Sequence, residues 1–200
     1  PIPTVSVVSA TICALQITTI QASGANSFSW STGSGNSSIV IAPTNNSTYS
    51  VVGSALGCTA AATGSIILKP IPSVTVSQNA AICESGTYTF GATGGNSYGW
   101  IGPQGFTSMS QSNTLTPLQL NDAGVYQVTV TALNTCTAGA STTLTVNPLP
   151  SISVSPNNPS ICVINGNVNL TANGTATLFS WPPSPGLSAL NTQITNASPS

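Results

Sequence analysis

The sequence predicts an all-β protein made of small two-sheet sandwiches in tandem, the third of them incomplete. Three observations predict it. A short phrase opens the chain and returns twice: "PIPTVSVVSATIC" at residue 1, "PIPSVTVSQNAAIC" at 70 and "PLPSISVSPNNPSIC" at 148. Between restarts, apolar and polar residues alternate with the period of a half-buried strand, and no stretch carries a helical period. Clusters of Gly, Asn, Pro and Ser, such as "STGSGNSS" and "GATGGNS", separate the alternating runs as turn chemistry requires.

The restarts are too far apart for a solenoid, whose units run about 20–50 residues. They fit tandem domains at 1–69, 70–147 and 148–200. Each unit opens on two prolines spaced by one residue: Pro1 and Pro3, Pro70 and Pro72, Pro148 and Pro150. Proline fixes φ and favours extended backbone, so the links between units should be stiff and the units should follow one another end to end. A first strand follows ("TVSVV", "SVTVS", "SISVS"), then a cysteine at 13, 83 and 162. The next strands are "ALQITTIQA", "TYTFGA" and "NVNLTAN". A tryptophan comes next, at 30, 100 and 181. "STYSVVG" and "GVYQVTVTAL" lie near the ends of the first two units, before a second cysteine at 58 and 136 and the closing strands "SIILK" and "STTLTV". About seven short strands per unit make a two-sheet sandwich. The third unit stops before its last two.

Composition excludes several function classes. The chain has one Lys, no Arg, no His and two acids, so 2% of its residues are charged. A nucleic-acid interface needs a basic patch to displace counterions, and Lys69 alone is not one. No apolar run approaches the roughly 18 residues of a membrane span, so no membrane insertion is expected. Paired-carboxylate catalysis fails because Glu84 and Asp122 are far apart, and a Ser or Cys nucleophile would have no His as its base. With no His and no C-x-x-C pair, a zinc site is not expected, and the links "LKPIPS" and "VNPLPS" lack the carboxylates of a calcium joint. No enzyme activity, cofactor or metal is expected.

The residues carry a resemblance. "NDAGVYQVTV" places Asp122, Gly124 and Tyr126 in the Asp-x-Gly-x-Tyr pattern of immunoglobulin-like domains, where the Tyr hydroxyl returns to the upstream backbone as a tyrosine corner. In the first unit only Tyr49 is kept, with Asn45 and Ser47 in the other two places. Antibody-type domains have a Cys two residues after this Tyr; here Val51 and Val128 stand there. The frame of paired prolines, Ile-Cys, Ser-Trp, Thr-Tyr-x-Val and Cys-Thr-Ala resembles tandem Ig-like/PKD-like repeats of large surface proteins of gliding and related Bacteroidetes-type bacteria. Such repeats form adhesins or stalks, usually exported by type IX secretion. The resemblance implies tandem Ig-like β-sandwich domains outside the cell, at the cell surface.

In an exported chain, Cys13 is expected to pair with Cys58 and Cys83 with Cys136, each bond stapling a small core. The alternative is two buried free thiols per unit. Cys162 has no partner in these 200 residues. Trp30, Trp100 and Trp181 are expected between the sheets, against the alternative that they stack on sugars. Sequons at Asn36, Asn45, Asn46, Asn169, Asn173 and Asn196 raise the expectation of glycan. The expected function is structural: the repeat region of an adhesin stalk or filament, partnered by copies of itself or by further repeats. The alternatives are a carbohydrate-binding module of a secreted protein and a donor-strand-complemented, pilus-like subunit.

Overall fold

The structure, a computed structural model, describes residues 2–160, 166–182 and 186–198. Pro1 and Cys162 lie outside the described residues. In the first repeat the strands are β1 (Ser6–Val7), β2 (Ala10–Cys13), β3 (Thr18–Ser23), β4 (Ser27–Trp30), β5 (Ser38–Ile41), β6 (Ser47–Ala55) and β7 (Cys58–Lys69). They form two sheets, β1-β3-β5 and β2-β7-β6-β4. The second repeat has β8 (Thr75–Val76), β9 (Ala80–Cys83), β10 (Tyr88–Thr93), β11 (Ser97–Ile101), β12 (Thr107–Ser108), β13 (Ser112–Leu115), β14 (Gly124–Thr131) and β15 (Thr137–Asn147). Its sheets are β8-β10-β13 and β12-β11-β14-β15-β9. In the third repeat the described strands β16 (Ile152–Ser155), β17 (Val168–Gly174) and β18 (Ile194–Ala197) form one antiparallel sheet.

This is the Ig-like sandwich twice over, with the start of a third. Its marker is the short strand that leaves the first sheet and pairs parallel with the last strand of the second. β2 pairs parallel with β7 and β9 with β15, while every other pairing in the two sandwiches is antiparallel. The period-two alternation does the work expected of it. Along β14, Tyr126, Val128 and Val130 point inward and are buried while the residues between them are exposed.

The two cores differ in content. Phe90 is the hub of the second, with its ring centroid 5.0 Å from Trp100, 4.7 Å from Tyr126 and 5.1 Å from Tyr88. The first core is mostly aliphatic, built from Ile20, Ile39, Ile41, Val51 and Ile66 around Trp30. Trp30 and Trp100 are 3% and 1% exposed. Their indole N–H groups donate to the carbonyls of Asn36 and Ser110, at 2.8 and 3.1 Å. An indole buried on both faces offers no stacking platform. Trp181 departs from the expected core position: it is only half-buried, although its N–H donates to the Thr192 carbonyl at 2.8 Å in the same manner.

The tyrosine corner forms in one repeat and not in the other. Tyr126 Oη donates to the Asp122 carbonyl at 2.8 Å, and the Asp122 carboxylate accepts from the Gln119 N–H at 2.7 Å, closing a short 3₁₀ turn at Leu120–Asp122. Tyr49 packs half-buried on the first core, and among the described residues its hydroxyl has no hydrogen-bond partner. The turn that would present a carbonyl to it is absent there. Burial first, then the Asp122 carboxylate and Tyr88, push the Tyr126 hydroxyl up to about 12.

One feature of the repeat escaped the sequence reading. Gly24, Gly94 and Gly174 stand at the same place in the three repeats, all with positive φ (90°, 107° and 153°). A Cβ on each would overlap the carbonyl oxygen of the residue just after the second proline: Thr4, Ser73 and Ser151 respectively. The first strand of each unit therefore lies directly against this glycine.

Two outcomes follow. Gly94→Ala should destabilise the second repeat by about 2–4 kcal/mol, from a left-handed backbone joined to overpacking, as read by urea unfolding; a change within experimental error would mean the strand moves aside freely. The raised Tyr126 value has a definite sign. Its contribution is complete below the unfolded value of about 10 and is lost as pH rises towards 12, because the unfolded chain gives up the proton first. Unfolding midpoints measured between pH 9 and pH 12, on the order of those two values, should fall more steeply in the native chain than in Tyr126→Phe; parallel curves would contradict this.

Candidate functional site: the joint between the first two repeats

The chemistry of this chain is concentrated where the first repeat meets the second. Cys13 is bonded to Cys136, with Cα atoms 5.6 Å apart and 123 residues between them in sequence. Cys58 and Cys83 are free thiols. The expected pairings within each repeat, Cys13 with Cys58 and Cys83 with Cys136, are therefore corrected to a single bond between repeats.

Strand register supplies the reason. The parallel pairing places Cys13 opposite Lys69, at the far end of β7, whereas Cys58 begins that strand. The eleven steps from Cys58 to Lys69 span about 36 Å at roughly 3.3 Å per residue. A disulfide needs Cα atoms within about 7 Å. The second repeat repeats the arrangement: Cys83 pairs with Asn147 at the end of β15, and Cys136 immediately precedes its start. Each sandwich thus carries one cysteine at each pole. The hairpin cysteine lies at the pole where the chain enters and the strand-end cysteine at the pole where it leaves. Joined end to end, the leaving pole of one unit meets the entering pole of the next.

The one lysine of the chain is at this joint. Lys69 Nζ donates to the Asn134 carbonyl at 2.8 Å and to Thr135 Oγ1 at 3.4 Å. Asn134 Nδ2 donates back to the Pro70 carbonyl at 2.8 Å, and Asn134 Oδ1 accepts from the Cys136 N–H at 3.0 Å. The hairpin tip is held in a demanding conformation: Thr135 has φ 71°, a left-handed value that a β-branched residue rarely adopts. Gly57 takes the corresponding place in the first repeat, with φ 80°. The strained residue is the one whose hydroxyl touches Lys69. The joint is therefore a covalent bond, a cation on a carbonyl and the Asn134 side-chain amide, set about the Pro70–Pro72 link.

Among the described residues no group of three His, Cys, Asp or Glu lies close enough to hold a metal ion. Asn36, Asn45, Asn46, Asn169 and Asn173 are exposed. Asn46 Oδ1 accepts from the Leu68 N–H, and Asn196, half-buried, donates its amide to Asn169 Oδ1. The sequence reading placed the cysteines at the right points in the repeat and missed the joint. The parallel pairing that separates Cys13 from Cys58 was the missing information.

A family model described as a PKD-like domain matches residues 69–146, the span of β8 to β15. No curated protein sequence matches the chain. Among solved structures, the N-terminal eight Ig domains of Down Syndrome Cell Adhesion Molecule align over 98% of this chain, at 13% identity and a TM-score of 0.45. This chain spans 31% of that one. The three N-terminal domains of the bacteriophage RB49 Highly Immunogenic Outer Capsid protein align over 100% of this chain and 86% of theirs, at 12% identity and a TM-score of 0.41. An I-band fragment of titin aligns over 98% of this chain and 87% of its own, at 10% identity and a TM-score of 0.39.

A bond between repeats has a signature that a bond within a repeat lacks. Cys13→Ser removes a side chain of the first repeat, yet should destabilise the second as well, because the folded first repeat and the bond together close a loop through the unfolded second. The chain-entropy model puts that effect at up to about 4 kcal/mol. Hydrogen exchange resolved over β10 to β14 measures it. Exchange altered only in the first repeat would show that the two units do not share the bond.

Proposed function

We propose that this chain is a repeat segment of an extracellular bacterial stalk or filament, built of Ig-like/PKD-like units at 1–69, 70–147 and 148–200, whose task is to reach and hold rather than to react. The observation that carries this reading is the Cys13–Cys136 bond across the joint. A disulfide between adjacent sandwiches ties their stabilities together and removes bending freedom from the link, which is what a stalk under tension needs. Disulfides also persist in oxidising compartments, which supports a place outside the cell.

The near absence of charge supports the same reading. Isolated sandwiches guard their sheet edges with Lys, inward charges or Pro. Here the single Lys is engaged at the joint, so the edges β4 and β5 are left to Ser27, Ser29, the exposed Val40 and backbone groups. We read those surfaces as covered in service by neighbouring copies, by further repeats or by glycan on exposed sequons such as Asn36 and Asn173. The carbohydrate-binding alternative keeps only the half-buried Trp181 as a platform, since Trp30 and Trp100 are buried.

Small-angle scattering on a Cys58→Ser, Cys83→Ser chain tests the reading. A stiff stalk should give a rod in which each unit adds about 35–40 Å, from strands of roughly 3.3 Å per residue. Its length and association state should stay unchanged up to roughly 1 M salt, because there is little charge to screen. A compact globule, or subunits released by salt, would overturn it.

A further inference from the structure

The Cys13–Cys136 bond closes a covalent loop that holds most of both cores. Between the two cysteines the chain runs from Ala14 to Thr135, through β3 to β14. Ile20, Trp30 and Val51 of the first core lie within it, and so do Phe90, Trp100 and Tyr126 of the second. What remains of these two repeats outside the loop is the opening segment of the first, with β1 and β2, and the last strand of the second, β15.

Both outside segments cross their sandwich from pole to pole, and both are already extended. Thr4 lies over Gly24 and Val5 over Gly53, at the entering pole of the first repeat. Gly53 pairs with Ala60, and Cys13 with Lys69 at the leaving pole. The eight residue steps from Val5 to Cys13 thus cover about the same length as the nine from Ala60 to Lys69 along β7. That length is about 30 Å at roughly 3.3 Å per residue. In the second repeat β15 does the same, running eleven residues from Thr137, beside the joint, to Asn147 at the leaving pole. Strand backbone has little slack, rising about 3.3 Å per residue against a limit of about 3.6 Å.

We propose that the opening segment of the first repeat, the Cys13–Cys136 bond and β15 together form a covalent tie that makes this pair of repeats inextensible. A pull that enters before Cys13 and leaves after Cys136 runs through β1 and β2, across the disulfide and along β15. The loop from Ala14 to Thr135 hangs beside this path and carries no tension. A strand pulled at both of its ends is not sheared against its neighbours, so the sheets that flank the tie keep their registers. Straightening the tie adds about a tenth of its length, from roughly 3.3 to 3.6 Å per residue. Without the bond the same pull passes through the loop and unravels both cores in turn. The 123-residue separation of the two cysteines would then be released, about 440 Å at roughly 3.6 Å per residue. The Lys69 and Asn134 contacts set the angle of the joint, and the disulfide bears its tension.

This inference deepens the stalk reading and rests on it for the presence of tension. The scattering test above reads shape and association, whereas the test here reads length under force, so either can fail alone. The full chain carries Cys58→Ser, Cys83→Ser and Cys162→Ser, so that only Cys13 and Cys136 can bond, and is held by its two ends in optical tweezers. The same chain with Cys13→Ser added is the comparison. Fully stretched, the comparison chain should be longer by about 440 Å, from roughly 3.6 Å per residue. That length is read from the stretched chain and does not depend on whether Cys13→Ser folds. Equal lengths would overturn the proposal. Phe90→Leu, which weakens the second core, separates a tie from a bond that only shortens the chain. It should leave the force–extension trace of the bonded chain unchanged, because Phe90 lies off the path. A bonded chain whose trace shifts to lower force with Phe90→Leu would place the second core under tension and overturn the proposal as well.

Discussion

The parallel pairing of a four-residue strand with the end of a long one organises this protein. β2 on β7 and β9 on β15 place a cysteine at the end of each sandwich where the chain leaves it. The hairpin that begins β7 or β15 holds the other cysteine at the opposite end. Two residues that look like partners along the chain are thereby kept a full strand length apart. The same separation gives each of the first two units a direction, with a hairpin cysteine at its entry and a strand-end cysteine at its exit. The Cys13–Cys136 bond is what that direction produces when two such units are placed in line.

Around this constraint the other features fall into place. With the staple at the joint, neither of the first two sandwiches has a disulfide between its own sheets, and packing fills that place. The second does so with an aromatic core centred on Phe90 and with a tyrosine corner; the first relies on Ile and Val around Trp30. Val51 and Val128, where antibody-type domains would put a cysteine, are buried and fill the space between the sheets. Gly24, Gly94 and Gly174 let the first strand of each unit seat tightly just beyond the proline pair. The one lysine, half-buried at the end of β7, acts on the joint rather than on solubility.

The strained Thr135 fits the same picture. A left-handed backbone at a β-branched residue costs about 1–2 kcal/mol, and such strain persists where the surroundings over-determine it. Here the surroundings are the Ala132–Cys136 hairpin bond, the Asn134 side chain folded onto the Cys136 N–H, and the Lys69 ammonium. The corresponding tip in the first repeat relaxes to Gly57. The two tips thus differ in residue type and in the burial of the adjacent cysteine.

The sequence by itself determined the all-β class, the three restarts, the order of the strands and the burial of Trp30 and Trp100, because these depend on local periodicity and on patterns that recur within each unit. It also determined the exclusion of a basic interface, through composition alone. Only the tertiary structure decided which cysteines meet. Spacing along the chain says that Cys13 and Cys58 belong to one repeat; it does not say that they sit at opposite poles of a strand, since that follows from one parallel pairing made far apart in sequence. The partial exposure of Trp181, the missing hydroxyl partner of Tyr49 and the glycine seats were hidden for the same reason. Each depends on what a distant segment brings to that point in space, and periodicity is silent on distant segments.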